Sequence, residues 1–539
     1  VAKGRHLWAT LIRLFQLAKL SQAELVEGMT DGKPYGVRGA SKTRLSRKLR
    51  GEELTLQDEY FVEAFVVTCY RRGRKVPAGG PHRAWGTLDE WRTWRQRIED
   101  GILADSPLPP PRPAARPSRL SGAAIAERER LGRVLGHRGL SATLREIYPA
   151  HPLVELWGVE MPITAFPAPR SQWRDVEAAL GDLQGDRVPG EGDYDDFEFD
   201  RFGRPRFDEL YASYLETKRS DPEQLRHLFP GAAFAFGRLR HEGGPKIDAF
   251  LSRYFVSLVT SEDLDAELVA ALDGRPDLDA PVPLSALRRR AYLHERIRRE
   301  YGPEAGPVET GRFRAAALSH ATTVMLATGQ GGYDILLPAR SEDVNTHPGF
   351  RHVAPSGILA PFNARAVAEE RTRRAEFSVW RNFCREWVEE LFAADEYEGW
   401  ELEDVTEPPD PALTPEIARL ERAVDPRDAR RAGDLYYTGV SVNLLTLRPE
   451  ICLLLVIDDP GWLGREIDEA RAVGRPVKLG WEYADGGIDQ PWLRPGHRIR
   501  LGPDLRPAAG WTPSPTELVP NAAAAIWLAL AVMRARHRS

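Results

Sequence analysis

The chain has 539 residues, 28% charged and 42% hydrophobic, with a formal net charge of -5; this composition belongs to ordinary globular domains and excludes a single small core or a chain basic throughout. Its three cysteines, Cys69, Cys384 and Cys452, are widely spaced in apolar surroundings, which excludes a disulfide framework or thiolate zinc site and points to a reducing cytoplasm. The longest uncharged apolar stretch, Ala522 to Met533, is twelve residues, too short to span a bilayer, and no signal-peptide pattern opens the chain, so no membrane partner is expected. A first residue of Val in a chain rich in Arg, Ala, Gly and Pro fits translation from a GTG start in a GC-rich bacterial genome.

The first predicted element is a helix whose apolar face is Leu7, Trp8, Leu11, Ile12, Leu14, Phe15 and Leu20. Ser21-Gln22-Ala23-Glu24 then reads as the N-cap of a second helix. A third starts near Ser41, buries Leu45 and Leu49, turns Lys42, Arg44, Arg47 and Lys48 elsewhere, and closes at Gly51. Residues 1 to 75 hold fifteen Lys or Arg against eight Asp or Glu. That local excess of +7 in an acidic chain is most simply accounted for by phosphate binding. The order of apolar helix, Leu20-Ser21-Gln22-Ala23-Glu24-Leu25, and a helix carrying Leu45-Ser46-Arg47-Lys48-Leu49 resembles the Xre-type helix-turn-helix of bacterial, particularly actinobacterial, repressors. The resemblance implies double-stranded DNA as a partner, with Lys42, Thr43, Arg44 and Arg47 at base edges and Gln22 and Lys48 at phosphates. It also implies a homodimer reading two half-sites. Asp31 to Gly39 lengthens the turn between the second and third helices, and Trp85, Trp91 and Trp94 are expected to close the module, residues 1 to 100. A basic helical module that binds protein is the alternative.

Residues 101 to 120 form a proline-rich linker around Ser106-Pro107-Leu108-Pro109-Pro110-Pro111, a semi-rigid extended spacer. Residues 121 to 305 are expected to be a mainly helical middle region. Helices are predicted over Ala123 to Leu135, Leu140 to Ile147, Phe207 to Lys218, Ile247 to Leu258 and Ser285 to Tyr301, around an exposed acidic loop from Gly185 to Asp200. Asp193, Asp195, Asp196, Glu198 and Asp200 lack the glycine and terminal glutamate spacing of a calcium loop.

In residues 306 to 539, Ala321 to Ala327 and Tyr333 to Leu337 read as strands joined at Gly329-Gln330-Gly331-Gly332. Phe377, Trp380, Phe383, Cys384, Trp387, Val388 and Leu391 then recur at helical spacing. Glu386, Glu389 and Glu390, at i, i+3 and i+4, share one face of that helix. Three such carboxylates suit a hard divalent cation bridging to substrate phosphates, while a solvated acidic face paired with Arg381 and Arg385 is the alternative. Farther on, Gly439 to Thr446, Ile451 to Ile457 and Val477 to Tyr483 are β-rich, and a helix is predicted from about Asn521 to Arg536.

The run Arg385-Glu386-Trp387-Val388-Glu389-Glu390-Leu391 resembles the core of the Nudix box. Arg340 stands where Nudix domains often carry an arginine, and His352-Val353-Ala354-Pro355-Ser356-Gly357 where the family has its strand before the box. The resemblance implies Mg2+ or Mn2+ held by Glu386, Glu389 and Glu390, catalysis through Glu389 and Glu390, and a nucleotide-type ligand near Arg340, Gly357 and Arg385. The chain departs from the pattern at Phe377, which replaces the upstream Glu with Glu376 one place off, and at Phe392, which replaces the closing glycine; about twenty residues from Ile358 replace a short loop.

The expected fold is multidomain: an all-α helix-turn-helix module and an α/β (α+β) Nudix-like mixed sheet flanked by helices. The expected function is a cytoplasmic transcription regulator that senses a nucleotide-diphosphate-type effector, since water activation needs a metal cage plus a base and the upstream Glu is out of register. One alternative is an active metal-dependent diphosphate hydrolase. Another rests on Asp458-Asp459-Pro460-Gly461 followed by Gly464-Arg465-Glu466, which resembles the nucleoside deoxyribosyltransferase and Toll/interleukin-receptor pattern and would make Glu466 a nucleophile or acid in glycosidic-bond chemistry.

Overall fold

The computed structural model describes residues 122–184, 231–273, 280–341, 344, 347–361, 364–367, 369–392, 414–472, 477, 479–480, 483, 497–508, 514 and 517–538. The helix-turn-helix reading with Gln22, Lys42, Thr43, Arg44, Arg47 and Lys48, the proline-rich linker, the acidic loop and the Phe207 to Lys218 helix lie outside these residues.

Helices Gly122–Leu135 (α1) and Arg138–Ile147 (α2) come first, as their apolar spacing predicts. A short hairpin, Val154–Leu156 (β1) with Val159–Met161 (β2), leads into Ile163–Pro167 (β3). Leu180–Leu183 (β4), Ala232–Arg240 (β5) and Lys246–Arg253 (β6) make a three-stranded sheet in the order β4-β6-β5. The helix expected over Ile247 to Leu258 is therefore corrected. Ile247, Ala249 and Leu251 are buried at a spacing of two, and Asp248 is held by Arg240 across the hairpin; the helix begins only at Tyr254–Ser257 (α3). A π-helical turn at Leu258–Glu262 joins α3 to Asp263–Leu272 (α4), and Arg288–Tyr301 (α5) follows.

The remaining elements are Ser319–Ala327 (β7), Tyr333–Leu336 (β8), Ser356–Ile358 (β9), Glu370–Glu376 (α6), Val379–Phe392 (α7), Pro415–Val424 (α8), Gly433–Asn443 (β10), Pro449–Ile457 (β11), Trp462–Ala472 (α9), Arg498–Leu501 (β12) and Pro520–His537 (α10). Among the described residues the largest sheet has seven strands, in the order β12-β8-β7-β11-β10-β3, with β9 also paired to β7. Strands β7 and β11 are parallel and the other pairs antiparallel, so the fold is mixed α+β. The turn expected between β7 and β8 is present, with Thr328 N–H donating to Gly332 O at 2.8 Å.

Every residue of β11 is buried, because the sheet is covered on both faces. Cys452, Leu454 and Val456 join one core with α10, whereas Ile451, Leu453, Leu455 and Ile457 join another with α7. Helix α10 packs on β1, β3, β7, β10 and β11, and its run Ala522-Ala523-Ala524-Ala525 lets its backbone approach the strands closely. Strand β3 pairs with β10 across residue 305, and among the described residues the middle region contributes six strands as well as helices. At the other end, Leu444 to Thr446, expected as strand, form the turn between β10 and β11; Tyr483 makes an isolated bridge with Arg340. Among the described residues no helix is long and apolar enough to cross a membrane.

Candidate functional site

The segment Arg385 to Leu391 lies on α7, and the helix is positioned first at its N-terminus. Glu177, in the 3-10 turn Val176–Ala179, accepts from Ser378 Oγ at 2.8 Å, Trp380 N at 2.9 Å and Val379 N at 3.1 Å. A carboxylate here satisfies otherwise orphaned amides and meets the positive end of the helix dipole. Phe383, Cys384, Trp387, Val388 and Leu391 enter the core, as their spacing predicts, with Leu318, Val324 and Leu336 of the sheet side.

The carboxylates are not a solvated face. Glu386 and Glu390 are 5% and 2% exposed, and each is engaged by the protein. Glu386 pairs with the neighbouring Arg385, whose guanidinium also donates to Ile358 O at 2.7 Å and Ala360 O at 3.3 Å. Glu389 Oε2 lies 3.7 Å from Arg385 Nε. Glu390 Oε2 accepts from Ser356 N at 2.9 Å and Tyr483 Oη at 2.8 Å. Gly357 leaves room for this carboxylate: a Cβ there would stand 2.0 Å from the Glu386 carboxyl carbon, so a larger residue would push the Glu386 side chain aside.

The arrangement brings Gly357, Arg385, Glu386 and Glu389 together and seats Glu390 on the start of β9. Arg340 is joined to this assembly through its backbone bridge to Tyr483, and its amide donates to Phe350 O at 2.8 Å. Glu390 thus serves as a strut between α7, β9 and Tyr483, while Glu386 and Glu389 flank Arg385, which donates to Ile358 O of β9. Among the described residues no group of three or more His, Cys, Asp or Glu side chains is placed to hold a metal ion.

Sequence spacing did not reveal Glu177, Ser356 or Tyr483, whose contacts span long stretches of chain, nor His320. His320 is fully buried on β7, its ring 6.1 Å from that of Phe383, and its Nδ1 accepts from Gly357 N at 3.3 Å. Burial, with a smaller contribution from the Arg385 charge, pushes its pKa down to about 3, so it is neutral at physiological pH.

Glu466 and Asp458 have separate surroundings. Glu466 on α9 is buried against Arg419 of α8 at 2.8 Å, and burial raises its carboxyl above the usual range. Asp458, at the end of β11, pairs with Arg536 of α10 at 2.7 Å and accepts from Tyr333 Oη at 3.1 Å. No family model matches the chain, and no curated protein matches its sequence.

Proposed function

We propose that the chain is a DNA-binding transcription regulator whose Nudix-like domain binds a nucleotide-diphosphate-type effector rather than hydrolysing one. The observation that carries this reading is the engagement of the α7 glutamates. Arg385, Ser356 N and Tyr483 Oη take carboxylate oxygens that hydrolysis would present to Mg2+ or Mn2+. Binding needs no such cage. The local +7 excess of residues 1 to 75 supports the DNA half.

The test uses the full chain with ADP-ribose, dinucleotides, nucleotide sugars and nucleoside triphosphates, with and without magnesium or manganese. Thermal shift and product release are followed together. At least one ligand should raise the melting temperature by mass action without appreciable turnover. Metal-dependent turnover on the order of 1 per second or faster, lost in Glu390→Gln, overturns the sensor in favour of a hydrolase. A nucleosidase activity abolished by Glu466→Ala would instead replace both with glycosidic-bond chemistry. Selection from random duplexes should yield a consensus, on which Arg44→Ala or Arg47→Ala costs roughly 1 to 3 kcal/mol if either reads a base bidentately; no consensus removes the DNA role.

A further inference from the structure

Arg290 and Arg314 lie inside the protein, bonded to neutral oxygens. Arg290 on α5 and Arg314 are 0% and 1% exposed. Arg290 donates to Tyr148 Oη at 2.7 Å, Leu444 O at 2.9 Å, Leu264 O at 3.3 Å and Leu445 O. Arg314 donates to Pro307 O at 2.6 Å, Thr310 O at 2.8 Å and Leu447 O at 3.2 Å. Nearby carboxylates are committed elsewhere: Glu267 accepts from the backbone amides of Arg289 and Arg290, and Asp263 pairs with the Arg289 side chain. Carbonyl dipoles offset part of the cost of taking a guanidinium out of water, but they bring no counter-charge.

The unmet groups in this region are predominantly donors. Arg290 Nε, Arg314 Nε and both ring nitrogens of His294 are buried with no hydrogen-bond partner. His294 is 3% exposed, one turn along α5 from Arg290, and its ring centroid is 5.4 Å from that of Tyr148, the side chain that Arg290 holds. A neutral imidazole carries one N–H, so this residue adds a third donor. The electrostatics agree. Burial, then the charges of Arg298, Arg290 and Arg314, push the His294 pKa down to about 3. Burial, with a contribution from Arg290, pushes Arg314 down to about 9.

We propose that the interior between α2, α5 and the Leu444–Leu447 turn binds a small monovalent anion of the halide class, held by N–H groups of Arg290, Arg314 and His294. The anion supplies the counter-charge that carbonyl groups do not. Both arginines fasten the turn joining β10 to β11, so the bound ion ties α5 to the centre of the sheet. This inference does not rest on the effector-binding reading.

The test is made on the full chain with halides alone. Crystals soaked in bromide should show an anomalous peak within hydrogen-bond distance of Arg290 and Arg314. At fixed pH and ionic strength, replacing gluconate by chloride should raise the melting temperature by several degrees and saturate, as expected for a ligand that binds only the native state. Arg314→Met should abolish the chloride response. If that variant does not fold, His294→Leu, which leaves both guanidiniums in place, should raise the chloride midpoint several-fold. Absence of the bromide peak, melting temperatures equal in the two salts, or a chloride response unchanged in the folded variants overturns the proposal and leaves the arginines as clamps of the turn.

Discussion

Helices α7 and α10 cover opposite faces of one sheet and are buried by different chemistry. On α10 the buried residues are Ala522 to Ile526, Leu528 to Leu530, Val532 and Met533, with Pro520 and Asn521 at the start. On α7 they include Arg385, Glu386 and Glu390. Apolar burial is non-directional and roughly proportional to area, so α10 is held by close fit. A buried charge requires a specific partner, so α7 is tied to β9 and to Tyr483 by bonds that only those neighbours supply. The first kind of packing fixes shape, and the second fixes identity and orientation.

The largest expected effect comes from acid, because His294, His320, His347 and His352 are all held neutral by burial with pKa values near 3. The unfolded chain binds protons near 6.5, so stability is complete above that value and falls as pH drops from about 6.5 towards 3, by at most ~1.4 kcal/mol per pH unit per histidine. Urea unfolding at pH 7 and pH 5 should show the loss, and His320→Leu on the α7 face should lessen its slope. An unchanged slope would mean that His320 protonates without unfolding the protein.

Next in size, Arg385→Ala should cost ~3–5 kcal/mol, since it removes one member of a buried ion pair with Glu386. The double variant Arg385→Met/Glu386→Leu should recover most of that loss by the same argument, and a double-mutant cycle in urea measures it. Additive losses would show that α7 is held by fit, as α10 is. Smaller again, Ala525→Leu on α10 should cost ~1–3 kcal/mol by overfilling a close-packed contact; a neutral result would deny that the alanines set the approach of helix to sheet.

Much of the sheet and its helices was legible because period and punctuation were unambiguous. The Gly329 to Gly332 turn separates β7 from β8, and the spacing of Phe383, Trp387 and Leu391 marks the buried side of α7. Strand β6 was misread because Ile247, Ala249, Phe250 and Leu251 are nearly continuous in apolar character, and a short run of that kind does not distinguish strand from helix. The site was only half legible. Spacing placed Glu386, Glu389 and Glu390 on one helix, but their surroundings depend on Gly357, Ser356 and Tyr483, and nothing in local sequence announces that Tyr483 reaches Glu390. Nothing in the local sequence marks Arg290 and Arg314 as interior, and only tertiary packing shows it.

The pairing of β3 with β10 has a consequence for how the protein is made. Pro167 and its partner Gly439 are separated by about 270 residues. At synthesis rates of roughly 5 to 20 residues per second, an emerging chain carries β3 without its neighbour for tens of seconds. During that interval Ile163 to Pro167 is an open edge, the kind of surface on which other chains pair and that chaperones cover. The seven-stranded sheet is therefore completed late in translation, by a contact between distant parts of the message.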